Sequence, residues 1–230
     1  MTRLWCDRAL IDGKVATGVT IEIADGRFVS IEAATEPGTT TRLAGLTIPG
    51  MANAHSHAFH RALRSRTQAD KGTFWTWREL MYRAAERLEP QSYHRLARAV
   101  FAEMAMAGIS CVGEFHYLHH GVGGTPYADP NEMGKALLAA AEDAGIRITL
   151  LDTLYLHGGL GADGYEPPLG VQQRFADHSA AAWVERVGSL QPTGTQRIGA
   201  AIHSIRAVDP ASMSALAGWA AERGAPLHAH

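Results

Sequence analysis

From residue 46 onward, short apolar runs alternate with longer stretches whose apolar residues recur at helical spacing. The runs are Leu46–His57, Ile109–Phe115, Arg147–Tyr155, Arg197–Ile202 and Pro226–His230. Each is short enough for a strand and too short for an independent helix. Between them, Leu96, Val100, Met104 and Ala107 make a helical apolar stripe, a core pattern rather than a cofactor box. Asn131 stands where an N-cap would open an Ala/Leu-rich helix ending at Gly145. Asp209-Pro210 opens another helix, with an N-cap and Pro at its first position, and Gly224 closes it. Residues 1–45 read differently. Thr20–Ile23 and Arg27–Ile31 alternate around Asp25-Gly26, a hairpin signal, and Asp12-Gly13 is a second turn of the same kind. Pro37-Gly38 and the threonines after it mark a loop or boundary. The pattern predicts two pieces: residues 1–45 as short hairpin strands that must pack on something else, and residues 46–230 as repeated βα units.

Strands alternating with helices predict a parallel sheet with right-handed crossovers, either open and doubly wound or closed as a (β/α)8 barrel. The histidines separate the two. Ten of them, at 55, 57, 60, 116, 119, 120, 157, 203, 228 and 230, fall at or just past the C-terminal ends of the five runs, leaving His94 and His178 within predicted helices. An open sheet gathers ligands at one switch point, whereas a barrel brings every strand end to one ring, so the barrel is favoured. No Gly-x-Gly-x-x-Gly follows the first run, which lowers a nucleotide-binding alternative. Five strands of eight give an α/β, TIM-like barrel that is incomplete, with sheet edges left open. The expectation is therefore the N-terminal part of a longer protein.

Composition narrows the classes. The 230 residues are 46% hydrophobic, enough for a sizeable core, and the formal charge of −2 gives no footprint for nucleic acid or an anionic membrane. Two cysteines, Cys6 and Cys111, do not make a disulfide scaffold and suit a reducing compartment. Neither a leader pattern nor a run of about 18 apolar residues is found. The expected location is cytoplasmic.

The candidate chemistry begins at His55-Ser56-His57. Residues two apart in a strand project to one face, so both imidazoles can aim at one point from a rigid scaffold. Catalytic zinc typically takes three protein ligands and leaves a position open. A third ligand must come from another strand end, and His228 and His230 both stand on the last run.

Four stretches carry a resemblance: Asn53–Phe59 (NAHSHAF), Phe74–Tyr82 (FWTWRELMY), Gly113–His119 (GEFHYLH) and His203–Arg206 (HSIR). The chain resembles the amidohydrolase superfamily and, within it, the formimidoylglutamate deiminases of bacterial histidine breakdown. The His-x-His pair is a superfamily signal, whereas Phe-Trp-Thr-Trp-Arg and Glu-Phe-His-Tyr are more specific. The resemblance implies a metal-dependent deiminase holding one Zn2+ through His55, His57 and a strand-5 histidine. It favours His230, because the ligand of this branch lies three residues before a catalytic Glu. His228 would then be a supporting residue. It also implies that residues 1–45 are the N-terminal part of the family's small β-sandwich and that Arg78, Tyr117, His203 and Arg206 surround a small substrate bearing carboxylates, with a homodimer possible; the charge balance already speaks against a nucleic-acid or membrane partner. Arg forks suit such a substrate because they hold carboxylates bidentately. His60 stands where the family usually has Gln on the substrate side. His116, His119, His120 and His157 are read as loop or supporting residues. The proton-moving Glu, His and Asp of the family would follow residue 230, so the 1–230 polypeptide alone is expected to be inactive. Two other readings are a deaminase of the same superfamily acting on guanine or a related amidine ring, and a non-catalytic metal-binding or scaffold protein.

Overall fold

A computed structural model describes residues 1–67 and 72–230, which fall into two compact units, Met1–Gly50 and Met51–His230. The first unit is a four-stranded sheet of β1 (Thr2–Ile11), β2 (Lys14–Ala24), β3 (Arg27–Glu32) and β4 (Thr41–Thr47), in the order β3-β2-β1-β4. The Asp-Gly pairs do what their chemistry predicts. Asp12 and Gly13 have φ of 47° and 76°, and Asp25 and Gly26 have 51° and 71°, so each two-residue turn is left-handed at both positions. These turns set the antiparallel register Ile11↔Lys14 and Ala24↔Arg27. Cys6, Ala9 and Val19 form the small buried centre.

The division falls after Gly50 rather than at the expected 45/46 boundary. The reason is Thr41–Thr47, which pairs in parallel with β1 and belongs to the first sheet. Pro49-Gly50 interrupts what reads in the sequence as one apolar strand, and the next strand, β5, covers only Met51–Ser56.

The second unit is built from β5, α1 (Phe74–Arg87), α2 (Pro90–Met106), β6 (Ile109–His116), α3 (Glu132–Ala144) and β7 (Arg147–Leu154). It continues through a small hairpin, β8 (Gly159–Gly161) and β9 (Gly164–Glu166), then α4 (Ala180–Gly188), β10 (Gln196–Ile202), α5 (Pro210–Arg223) and β11 (Leu227–Ala229). Its sheet runs β11-β10-β7-β6-β5 with every pair parallel. The order never reverses, so there is no doubly wound switch point, and the sheet is a half-barrel of five strands. Gly199 shows how closely the inner face packs: a Cβ there would lie 2.8 Å from Leu151 Cδ2. Among the described residues no helix is long and apolar enough to cross a membrane.

Local details depart from the sequence pattern. The buried face of α2 is Tyr93, Ala97, Val100 and Phe101, with Leu96 and Met104 of the expected stripe packed against the same core; only Ala107, the C-cap, departs from it and is exposed. His178 lies in a bend before Ser179, the N-cap of α4, and not in a helix. Asn131 occupies the N-cap position of α3, but its amide donates to Arg186 O and Ser189 Oγ instead of capping. The glycine-rich stretch after β7 contains the β8–β9 hairpin.

Candidate active site

Three imidazoles meet at the C-terminal ends of β5 and β11. His55 Nε2 lies 3.1 Å and His57 Nε2 2.9 Å from His230 Nε2. Three ring nitrogens this close need a shared proton or cation, because bare lone pairs repel. A tetrahedral ion with bonds of about 2.0–2.1 Å would hold its nitrogens roughly 3.3 Å apart, so the triad fits one ion with little adjustment. His57 Nδ1 faces Phe115 O at 3.4 Å; donation there leaves Nε2 as the free lone pair. Burial lowers the His57 pKa to about 4, helped by the neighbouring His230, and keeps the ring in the neutral form that a metal requires. His228, on the same strand, is not part of this convergence.

A buried carboxylate braces the strand that carries two of these rings. Glu114 on β6 is fully buried and accepts from Ser56 Oγ at 2.5 Å and from the Ala58 amide at 2.6 Å. Neighbouring residues of β6 face opposite ways. Phe115 packs against His57 and His230, whereas His116 lies against Tyr93 of α2 and Gly134 of α3.

Two rings of the triad, His57 and His230, line a cavity of about 670 Å³ together with His60, Arg78, Tyr117, His203 and Arg206. All five residues expected around a substrate therefore border one space. Tyr117 is buried, and its hydroxyl lies 2.7 Å from His60 Nε2. His60 in turn stacks on His57 with centroids 4.6 Å apart. His203 packs edge-on against Tyr155, and burial, reinforced by His230 and Arg206, lowers its pKa to about 3. Neither Arg78 nor Arg206 has a carboxylate within ion-pair distance among the described residues; Glu166, the carboxylate on the lining, pairs with neither. Tyr82 and Tyr155 also border the cavity, although the sequence reading gave them no role. Their signal was faint: Tyr82 stands one helical turn after Arg78, a position that ordinarily reads as core.

A second cluster, His116, His119 and Asp152, is fully buried behind the sheet. Asp152 is already engaged. Its Oδ1 accepts from Trp183 Nε1 and Arg186 Nη2, and its Oδ2 from Arg186 Nη1. Arg186 also binds Asp177 through Nε and Nη2, so two buried carboxylates share one guanidinium. His119 Nε2 lies 2.9 Å from Thr153 O. This cluster is a structural hub that ties β7 to α4.

The convergence of histidines on parallel strand ends is matched by similarity to known proteins. Residues 46–230 match the amidohydrolase family. The chain belongs to that family. This amidohydrolase is 37% identical over its whole length to formimidoylglutamate deiminase from Pseudomonas aeruginosa, covering 51% of that protein. It superposes on the crystal structure of an amidohydrolase from Brucella melitensis with a TM-score of 0.89 and 34% identity, covering 100% of this chain and 52% of that one. Atrazine chlorohydrolase from Arthrobacter aurescens, solved in complex with zinc, shares the fold at a TM-score of 0.72 and 23% identity, covering 100% of this chain and 52% of its own. The chain thus spans about half the length of the relatives it matches.

Proposed function

We propose that the protein is a metal-dependent deiminase converting N-formimidoyl-L-glutamate and water to N-formyl-L-glutamate and ammonia. The observation that carries this reading is one cavity bordered by two rings of the histidine triad, His57 and His230, and by two guanidiniums without carboxylate partners. His55, His57 and His230 would hold one divalent cation, zinc by preference for an imidazole set. When bound, that ion supplies Lewis acidity and makes water nucleophilic at neutral pH. The chain's own residues do the rest. Arg78 and Arg206 take the two carboxylates of the glutamate moiety and so place the amidine carbon over the triad. Tyr117 and His203, with the proton-poor character that burial gives His203, hydrogen-bond the reacting nitrogen. His60, bonded to Tyr117, closes the side of the cavity next to His57. The C=N bond is replaced by C=O, and its nitrogen leaves as ammonia. A guanine-like ring would leave both arginines without partners, so the dicarboxylate is the better substrate.

The test is ammonia release by the full-length gene product carrying residues 1–230, with N-formimidoyl-L-glutamate and guanine compared side by side. Arg206→Met should lower kcat/KM for the former about 100-fold; an unchanged value would remove the carboxylate assignment. His230→Ala should abolish stoichiometric zinc binding while His228→Ala retains it. On the same reading the 1–230 polypeptide alone releases no ammonia, and measurable release would refute that point.

A further inference from the structure

We infer that Tyr82 is a specificity-determining residue of this cavity, donating its phenol hydrogen to the same carboxylate that Arg78 holds and fixing which edge of the guanidinium meets it. The inference rests on the dicarboxylate reading above. Arg78 and Tyr82 lie one turn apart on α1, so their side chains share a face. Arg78 Nε donates to Tyr82 Oη at 2.7 Å, and the guanidinium carbon lies 4.9 Å from the Tyr82 ring centre and 5.5 Å from that of Trp75. A guanidinium has five N–H groups in a rigid fork. With Nε–H committed to the phenol, Nη1 and Nη2 remain, the end-on pair that matches a carboxylate bidentately.

Tyr82 Oη receives a hydrogen bond from Arg78, and its own hydrogen meets no acceptor among the described residues. Both side chains line the cavity and both are half-buried. A phenol hydrogen without an acceptor beside a guanidinium without a counter-charge makes a seat with three donors, and a carboxylate is the ligand group that satisfies it. The helix that carries the pair is fixed at its start by reciprocal bonds between Thr73 and Thr76, so the seat is held by regular backbone rather than by a loop.

Tyr82→Phe tests this in the full-length gene product, since Phe keeps the ring over Arg78 and removes only the hydroxyl. KM for N-formimidoyl-L-glutamate should rise about ten-fold, with kcat within two-fold and the melting temperature unchanged. Two analogues, N-formimidoyl-4-aminobutyrate and N-formimidoyl-L-glutamine, each lack one carboxylate. The analogue whose KM is insensitive to Arg78→Met should be equally insensitive to Tyr82→Phe and should still respond to Arg206→Met, because it keeps the other carboxylate. If Arg78→Met raises KM and Tyr82→Phe does not, or if the Tyr82→Phe effect follows Arg206's carboxylate, the inference is overturned and the substrate reading stands. If neither Arg78→Met nor Arg206→Met changes KM, the substrate reading falls and takes the inference with it.

Discussion

Ser56, placed between two imidazoles of the triad, donates its hydroxyl to Glu114 directly across the β5–β6 pair. The other carboxyl oxygen takes the Ala58 amide, so Glu114 holds the residues on both sides of His57, Ser56 by its side chain and Ala58 by its backbone. The carboxyl group therefore sets where the His57 ring leaves the strand. Residues that orient metal ligands typically carry 10–100-fold in affinity. Glu114→Ala should lower zinc affinity by about that factor, measured by competition with a chelator. Wild-type affinity in the variant would show that the strand end holds its geometry without the carboxyl group.

Glu114 also gives a pH dependence with a definite sign. Burial raises its pKa from 4.5 to about 7, against the pull of the Ser56 and Ala58 hydrogen bonds. Between those values the native state holds a proton that the unfolded chain has released. Stability from this group therefore falls as pH rises through the window, by about 3 kcal/mol in all. Glu114→Gln stays neutral and should flatten that slope. Urea unfolding of metal-free wild type and variant at pH 5 and pH 7.5 measures it, and parallel pH dependences would rule the mechanism out.

The hub behind the sheet makes a stability prediction. The side chains of Arg186, Asp152 and Asp177 are at most 5% exposed, so none of the three charges is relieved by water. Arg186→Met leaves two carboxylates buried without their cation and should cost about 3–5 kcal/mol. Replacing all three residues by apolar ones of similar volume should recover most of that loss, because the desolvation cost vanishes with the charges. Denaturant midpoints for the single and triple variants decide the point. A triple variant no more stable than Arg186→Met would mean that geometry, not charge, is what the hub supplies.

These side chains illustrate what a sequence reveals of such a fold. The Asp-Gly turns were legible because few residue pairs adopt φ > 0 at both positions. The half-barrel was legible because its histidines mark strand ends. The end of the first sheet was not, since Leu46–Ile48 and Met51–Ala54 form one apolar run and only pairing in space divides them. Asn131 looked like a cap because its local pattern is a cap's, while a partner 55 positions away takes its side chain. Glu114 and Asp152 did leave a signal, a carboxylate inside an apolar strand. Such residues are rarely buried unless paired, so each announces partners without naming them. Tyr82 left almost none, because a tyrosine one turn after an arginine is ordinary helix-face chemistry.

Arg206 sits in a turn that other side chains hold in place. Its turn is bracketed by one phenol: Tyr165 Oη lies 3.1 Å from Ile205 O and 3.2 Å from Val208 O, on either side of the arginine. One hydroxyl has one hydrogen, so the two carbonyls share it and both are drawn toward the β8–β9 hairpin. The hairpin is itself anchored, because the Tyr165 ring stacks on His157 at 4.3 Å and His157 Nε2 lies 3.4 Å from Asp209 Oδ2. Asp209 in turn caps α5 through the Ser212 amide. Tyr165→Phe keeps the stack and releases only the carbonyls, so the fold should keep its melting temperature within a few degrees. What should change is the positioning of Arg206: KM for a dicarboxylate amidine should rise about five-fold, with kcat much less affected. Combining it with Arg206→Met separates a positioning role from a general one. Once the guanidinium is gone, removing the hydroxyl should cost nothing more in KM. An additive penalty in the double variant would mean that Tyr165 acts on the cavity by some route other than Arg206.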